Sequence, residues 1–353
     1  MFETFEFETL TPQGASVIFA LMLGLVFGAA AQVTRFCIRR GLVGTASERR
    51  PALGLWMLAL ATAVVGTQVA IAADWITFAD HRFMVSEIPV LAIVIGGALF
   101  GAGMVLTRGC ISRLTVLTGT GNLRALMVLL VFAVTAHATL KGVLAPLRVS
   151  LGGLTTDLGF VSLADLPGGA LFWSAVVIIG ALAIVRRGMP SRSHAVLAVL
   201  IGLLVPLGWV GTGFVLFDEF DPIAMESLSF TSPTADTLFW TIASTAIPAG
   251  FGVGLLAGVV AGSFIMALIN GGIELQSFSS PGETLRYGAG GIMMGAGGVL
   301  AGGCTVGAGL SGVPTLSVAA ILALGAIAAG ATAFNALLAE KKNGDDAITV
   351  PAE

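Results

Sequence analysis

Residues Gly290–Pro314 read GGIMMGAGGVLAGGCTVGAGLSGVP, a cysteine set just behind a glycine-studded apolar run and inside a second run of glycines. The same design stands at Gly96–Gly121, GGALFGAGMVLTRGCISRLTVLTGTG. Counted back from each cysteine, glycines recur at matching offsets: Gly97, Gly101, Gly103 and Gly109 before Cys110, and Gly291, Gly295, Gly297 and Gly303 before Cys304. A weaker copy, GLVFGAAAQVTRFC, places Gly24 and Gly28 at the same distances from Cys37. All 3 cysteines of the chain therefore share one context.

The composition says what kind of context this is. Over 353 residues the chain is 56% hydrophobic and 10% charged, with mean hydropathy +0.98, too little charge to cover a water-soluble globule of this size. Its long, unbroken Ala/Gly/Leu/Val stretches suit helices crossing about 30 Å of hydrocarbon, not the alternation of a barrel. The expectation is an all-α integral membrane protein in a lipid bilayer, with no nucleic acid partner. The start, MFETFEFETLTPQG, has no basic region and no cleavage site of the usual kind, so the first span is expected to insert as itself.

Nine spans are expected, near 15–34, 52–73, 88–107, 123–145, 168–185, 195–216, 237–268, 285–301 and 315–338. The seventh exceeds one crossing and contains Pro248, which predicts a kink, a tilt or a short interfacial start. The eighth is short and glycine-rich, as a half-helix ending inside the membrane would be. They are expected to form a single transmembrane domain, with pseudo-repeats near 15–146 and 195–338, a connecting helix near 168–185 and a polar tail over 340–353.

Charge sets the orientation. The connections after the odd-numbered spans carry 14 of the 17 basic residues, beginning with Arg35, Arg39, Arg40, Arg49 and Arg50. The opposite connections hold Arg82 and Arg148 among acids such as Asp74, Asp80, Asp157, Asp218 and Glu226. The positive-inside rule then puts the N-terminus outside and the C-terminus in the cytoplasm, as an odd number of spans requires. The third and eighth spans run in opposite directions, so their glycine–cysteine elements enter from opposite faces as an inverted repeat, with re-entrant loops meeting at the midplane in an hourglass-like arrangement. The first span should pair with the sixth, whose thiol is missing. The seventh runs like the first, and its Gly254, Gly258 and Gly262 read as helix packing.

Glycines beside a cysteine let backbone approach whatever passes, and unwound helix ends leave N–H groups that favour an anion. A thiol enclosed in apolar surroundings stays neutral near pH 7 and donates a weak S–H hydrogen bond that a thiolate could not. Taken alone, a membrane cysteine is a small hydrophobe; three in matched frames argue for a path lined by Cys37, Cys110 and Cys304 with Gly109 and Gly303. No metal site is expected, since C-x-x-C spacing is absent and His81, His137 and His194 are scattered. Neither a cofactor nor a catalytic residue is called for.

The motifs TRFC at Thr34–Cys37, GAGMVLTRGC at Gly101–Cys110 and GGIMMGAGGVLAGGCTVGAGLSG at Gly290–Gly312 resemble those of the YeeE/YedE sulfur-transport family, over most of the chain. The resemblance implies a thiosulfate importer of the bacterial inner membrane, of hourglass shape, whose three cysteines hand the anion along by S–H···S hydrogen bonds. It also implies a partner for the sulfur delivered: with no sulfurtransferase domain after the last span here, that partner is expected to be a separate cytoplasmic TusA-like sulfurtransferase. Two other classes stay open, a membrane thiol oxidoreductase and a non-transporting subunit of a larger permease.

Within the transport reading, Lys141 and His137, four apart on the fourth span, are expected to collect substrate at the outer face. Arg108 and Arg113 would draw it inward. Cys110 and Cys304 would face each other at the narrowest point, with Cys37 on the cytoplasmic side.

Overall fold

The computed structural model describes residues 11–273 and 275–348. The stretch 1–10, where a leader was not expected, lies outside them, as do 349–353 of the polar tail. The described residues are mainly helical, with one two-stranded antiparallel ribbon among them that pairs Glu87 with Asp157. Among the described residues 9 segments are long and apolar enough to cross a membrane.

In order, the helices are α1 (Pro12–Thr34), α2 (Ile38–Val43), α3 (Ala46–Ala72), α4 (Val90–Leu106), α5 (Ile111–Gly119), α6 (Leu123–Lys141) and α7 (Ala145–Gly152). There follow α8 (Gly169–Arg187), α9 (Arg192–Val210), α10 (Thr231–Ala243), α11 (Phe251–Ile269), α12 (Pro281–Leu300) and α13 (Val318–Ile348). Starts follow the chain's own chemistry. Thr11 caps α1 by accepting from the Gly14 N–H at 3.1 Å, and Ser280 caps α12 by accepting from the Glu283 N–H at 3.2 Å. Pro12 and Pro281 occupy first-turn positions where their missing N–H costs nothing.

Two expected spans differ. The seventh, read as 237–268, is two helices, α10 and α11, with the chain turning between Ala243 and Phe251 around Pro248, which cannot supply an N–H to a continuous helix. The eighth is no short half-helix: α12 starts at Pro281 and has 20 residues before it breaks.

Small residues decide which helices touch. A Cβ on Gly254, Gly258 or Gly262 of α11 would run into the backbone carbonyls of Val17, Leu21 and Leu25 of α1, so these helices lie in backbone contact and run parallel. That is the packing role read for these three glycines. Helices α4 and α12 cross just as closely but antiparallel. A Cβ on Gly103 would stand 2.6 Å from the Gly290 carbonyl, and one on Gly297 would stand 2.6 Å from the Gly96 carbonyl. The interior between them is filled by Phe27, Trp56, Phe100, Phe132 and Phe230, each almost wholly buried. By contrast α8, the expected connecting helix, buries only Ser174, Ala181 and Val185 and lies at the periphery. An ion pair at 2.8 Å between Arg124 and Glu283 ties the start of α6 to the start of α12 on the basic face.

Candidate functional site

The three cysteine frames fold into one turn, used three times. Each long helix ends in a residue with left-handed backbone two positions before the cysteine: Arg35 at φ 51°, Arg108 at φ 57° and Gly302 at φ 74°. In each the N–H of that residue bonds the carbonyl three positions back, Gln32, Val105 and Val299 respectively, at 3.2–3.4 Å. The cysteine follows in extended conformation and begins the next helical segment. After Cys37 that segment is α2, after Cys110 it is α5, and after Cys304 it is a wide π-helical segment, Thr305–Gly312. The sixth span, expected to partner the first, lacks the turn as well as the thiol. Helix α9 passes without interruption into the π-helical Gly211–Val215, with Gly211 at φ −59°.

All three cysteines are buried and unbridged. Cys37 Sγ lies 3.9 Å from Cys110 Sγ, within reach of an S–H···S hydrogen bond, and Cys110 Sγ lies 3.2 Å from Ser112 Oγ. Cys304 is held differently: its sulfur accepts the Gly307 N–H at 3.3 Å. The thiol beside Cys110 is thus Cys37, where the sequence reading had set Cys304. The reason is direction, because α1 and α4 both finish at the arginine-rich face and their tips converge there.

Those two tips open on a cavity of about 490 Å³ lined by Arg35, Arg39, Arg40, Arg108 and Arg113, with Glu48 as the acid among them. Glu48 is taken up by Arg40 at 2.9 Å. Arg113 turns inward and donates to the Ala31 carbonyl and Gln32 Oε1, both at 3.3 Å, which fixes α5 against the end of α1. Arg108 stays exposed to the cavity. Gly303 is a place without room, since a Cβ there would lie 2.9 Å from the Ala308 nitrogen, whereas one on Gly109 would make ordinary contact with Leu114 at 3.4 Å.

Lys141 and His137 are not brought to the cysteines. They occupy the last turns of α6, where His137 stacks on Phe239 with ring centroids 4.8 Å apart. Both lie within electrostatic reach of Asp236 on α10, whose carboxyl is raised above its ordinary range mainly by burial and is pulled back by these two residues.

What the sequence reading did not single out is a larger cavity, about 770 Å³, on the acidic face. Its wall comes from the segments 73–89 and 216–230 and its floor from Gly307 and Ser311 of the π-helical segment that follows Cys304. Arg82 lines it, its guanidinium 5.1 Å from the centroid of the Phe83 ring and without an ion pair among the described residues. Burial, with help from Arg82, holds the His81 imidazole down at about 4, so Arg82 carries the positive charge of this wall. Burial pushes the Glu226 carboxyl up to about 7 against the pull of Arg82. Trp209 Nε1 and Ser229 Oγ, on residues that line the cavity, are buried without a hydrogen-bond partner among the described residues. The hint in the sequence was Arg82, a base among the acids of this face.

A helical membrane protein with an arginine basin at one end, a polar cavity at the other and buried thiols between them has the parts of an anion-transport protein. The sequence profile of the Sulphur transport family matches residues 33–333, and the chain belongs to that family. It is 28% identical over 324 residues to the thiosulfate transporter TsuA of Escherichia coli (strain K12), covering 83% of this chain and 86% of that protein. A second relative, the thiosulfate transporter TsuA of Spirochaeta thermophila, is 26% identical over 264 residues, 65% of this chain and 72% of the other.

Proposed function

We propose that this protein imports thiosulfate, or a similar small sulfur-containing anion, across the bacterial inner membrane, passing it by S–H hydrogen bonds along Cys304, Cys110 and Cys37. The N-terminus is outside, the C-terminus cytoplasmic, and the antiparallel α4 and α12 belong to the two halves of an inverted repeat. The observation that carries this reading is the pair of buried sulfurs, Cys37 and Cys110, 3.9 Å apart at the point where two glycine-faced helices end above the arginine basin. Thiosulfate bears charge on a large terminal sulfur that accepts long, weak S–H donors, whereas sulfate offers oxygen alone. On the cytoplasmic side the five arginines of the basin lower the energy of the arriving anion. A separate TusA-like sulfurtransferase receives the sulfur there.

The test is uptake of radiolabelled thiosulfate, sulfite and sulfate into liposomes holding the purified protein. Cys110→Ala is expected to abolish thiosulfate uptake at unchanged yield of folded protein, because one small group costs modest stability. Uptake at the wild-type rate by the Cys37→Ala/Cys110→Ala double variant would rule out the thiol path.

The same 3.9 Å separation favours a second reading, a membrane thiol oxidoreductase in which Cys37 and Cys110 form a reversible disulfide. Uptake into liposomes that proceeds at the same rate in excess reductant excludes it, since a disulfide cycle stops when both thiols are kept reduced.

A further inference from the structure

A cavity of about 470 Å³, apart from the two already described, lies where the first turn of α4, the last turn of α12 and the first turn of α13 come together. Its wall is apolar: Ile88, Ile93, Ala301, Ala308 and Ala319 belong to a small hydrophobic cluster separate from the main core. The polar side chains that line it are Arg82, Glu87, Arg148 and Thr155. An inorganic anion finds nothing to bond along such a wall, whereas a hydrocarbon chain does. None of Arg82, Glu87 and Arg148 is in an ion pair among the described residues. Arg148 Nε donates to the Thr139 carbonyl at 3.2 Å, which anchors the side chain, and Glu87 Oε2 accepts from Thr155 Oγ1 at 3.1 Å.

The surroundings put this rim at the membrane surface. Helix α7 carries Arg148 and the cavity-lining Gly152, follows directly on the span α6, and buries none of its residues. Its Leu147 and Val149, with Val143 before it and Leu154 behind it, are exposed. In water that apolar surface is costly; a short helix lying along the interface sinks it into the acyl boundary and keeps its arginine at the phosphates. On α4 the exposed Leu91, Val94 and Ile95 flank the cavity-lining Ala92 and Ile93, so the cavity borders the hydrocarbon. We infer that it binds a phospholipid with an amine headgroup, one acyl chain lying along the alanine- and isoleucine-lined wall, the phosphate held by the Arg148 Nη groups and the ammonium by Glu87. Charge decides the headgroup. A lipid offering phosphate alone leaves Glu87 facing an anion, while a phosphate joined by a short link to an ammonium gives each sign at the rim its opposite. The chain also fills space beside the turn into Cys304, because Gly302 lines the cavity with nothing within 4 Å of where its Cβ would stand.

The test uses the full chain purified in detergent, stripped of lipid and then offered phosphatidylethanolamine and phosphatidylglycerol with the same acyl chains. Native mass spectrometry reads the bound lipid, and the melting temperature is followed in parallel. The wild type is expected to hold phosphatidylethanolamine in preference to phosphatidylglycerol and to melt higher with it, as a ligand of the folded state requires. Arg148→Gln is expected to bind either lipid about tenfold more weakly, the loss that goes with a charge-assisted contact, and Arg148→Lys to keep part of the binding. Glu87→Gln is expected to turn the preference toward phosphatidylglycerol. Ala319→Phe, which occupies the wall, is expected to exclude both lipids while its lipid-free melting temperature stays near that of the wild type. Glycerophosphoethanolamine, the same headgroup without chains, is expected not to displace the lipid. Equal lipid binding by the wild type, Arg148→Gln and Ala319→Phe means unspecific annular lipid and overturns the inference. Displacement by glycerophosphoethanolamine at the lipid's own concentration overturns it as well, since the cavity is then a headgroup pocket, and a wild-type preference for phosphatidylglycerol refutes the part given to Glu87. None of these readings involves uptake, so failure of the thiol path leaves them standing.

Discussion

Arg35 and Arg108 occupy turns whose backbone would suit glycine better, and replacing them tests what the arginines are for. An L-residue in the left-handed region pays about 1–2 kcal/mol relative to glycine. Glycine loses more freedom on folding, which returns roughly 0.5–1 kcal/mol of that gain. The net expectation for Arg35→Gly or Arg108→Gly is a stabilisation of about 0.5–1 kcal/mol, read as a higher melting temperature in detergent. Gly302 shows that the third turn, at φ 74°, already uses the cheaper residue. Transport should move the other way. A dianion about 4 Å from one cationic charge gains roughly 2 kcal/mol in water; averaged over a basin of about 490 Å³ the loss should be nearer 1 kcal/mol, about a fivefold change in the apparent affinity at the basic face. The loss should shrink as salt is raised, since about 0.1 M salt screens over roughly 10 Å. Exposed Ser47 lies in the same connection as Arg35 and outside the cavity lining, so Ser47→Arg in the Arg35→Gly background restores the charge count that sets topology. Liposome flux from the basic-face side, at low and high salt, reads the effect. A lower melting temperature for both glycine variants would refute the strain argument, and unchanged flux in the Arg35→Gly/Arg108→Gly double variant would refute the role of the basin.

Three further outcomes are expected. Mild oxidation should join Cys37 to Cys110 and leave Cys304 free in peptide mapping, since the sulfurs at 3.9 Å need to close by roughly 0.9 Å each to reach bond length; a Cys110–Cys304 bridge would mean the pairing is wrong. Gly258→Leu should cost more than about 3 kcal/mol by prying α11 from the Leu21 carbonyl of α1, while Gly325→Ala, with nothing within 4 Å, should be close to neutral; similar melting temperatures for the two would contradict the close crossing. Because the folded-state pKa of Glu226 is raised, its contribution to stability is full below about pH 4.5 and is lost as pH rises through about 7, so Glu226→Gln should melt higher than the wild type at pH 8 and alike at pH 4.5, and an unchanged difference across that range would count against a buried carboxyl.

Much of this architecture could be read from local pattern. Nine spans follow from apolar length, and the packing of Gly254, Gly258 and Gly262 against α1 follows from a spacing that keeps three small residues on one helix face. The break at Pro248 was visible as a proline in an overlong span, although its outcome, two separate helices, depends on how α10 packs against the rest. Site geometry was less legible because similarity of frame and proximity in space are different properties. The glycine offsets of Cys110 match those of Cys304, and that likeness suggested that the two thiols meet. The direction of the spans, expected from charge, puts Cys37 and Cys110 at one face and Cys304 after a helix running the other way.

The arginine turns show a similar gap between a motif and its meaning. TRFC and TRGC both carry arginine two places before the cysteine, and AGGC carries glycine; only the backbone reveals that all three positions are left-handed. A strained arginine is retained where the turn faces the basic cavity, and a glycine stands where it faces the opposite side, lining a third cavity of about 470 Å³ beside Arg82 and Arg148. The acidic-face site had no motif to betray it, because Arg82, Trp209, Glu226 and Ser229 come from three separate stretches that meet only when α9 and the two flanking segments close over the π-helical turn. Its signature is chemical: hydrogen-bond donors buried without acceptors, next to a guanidinium that has no ion pair among the described residues. Leaving buried donors unpaired costs free energy, so this cavity is legible from the chemistry of the folded chain and not from the glycine frames.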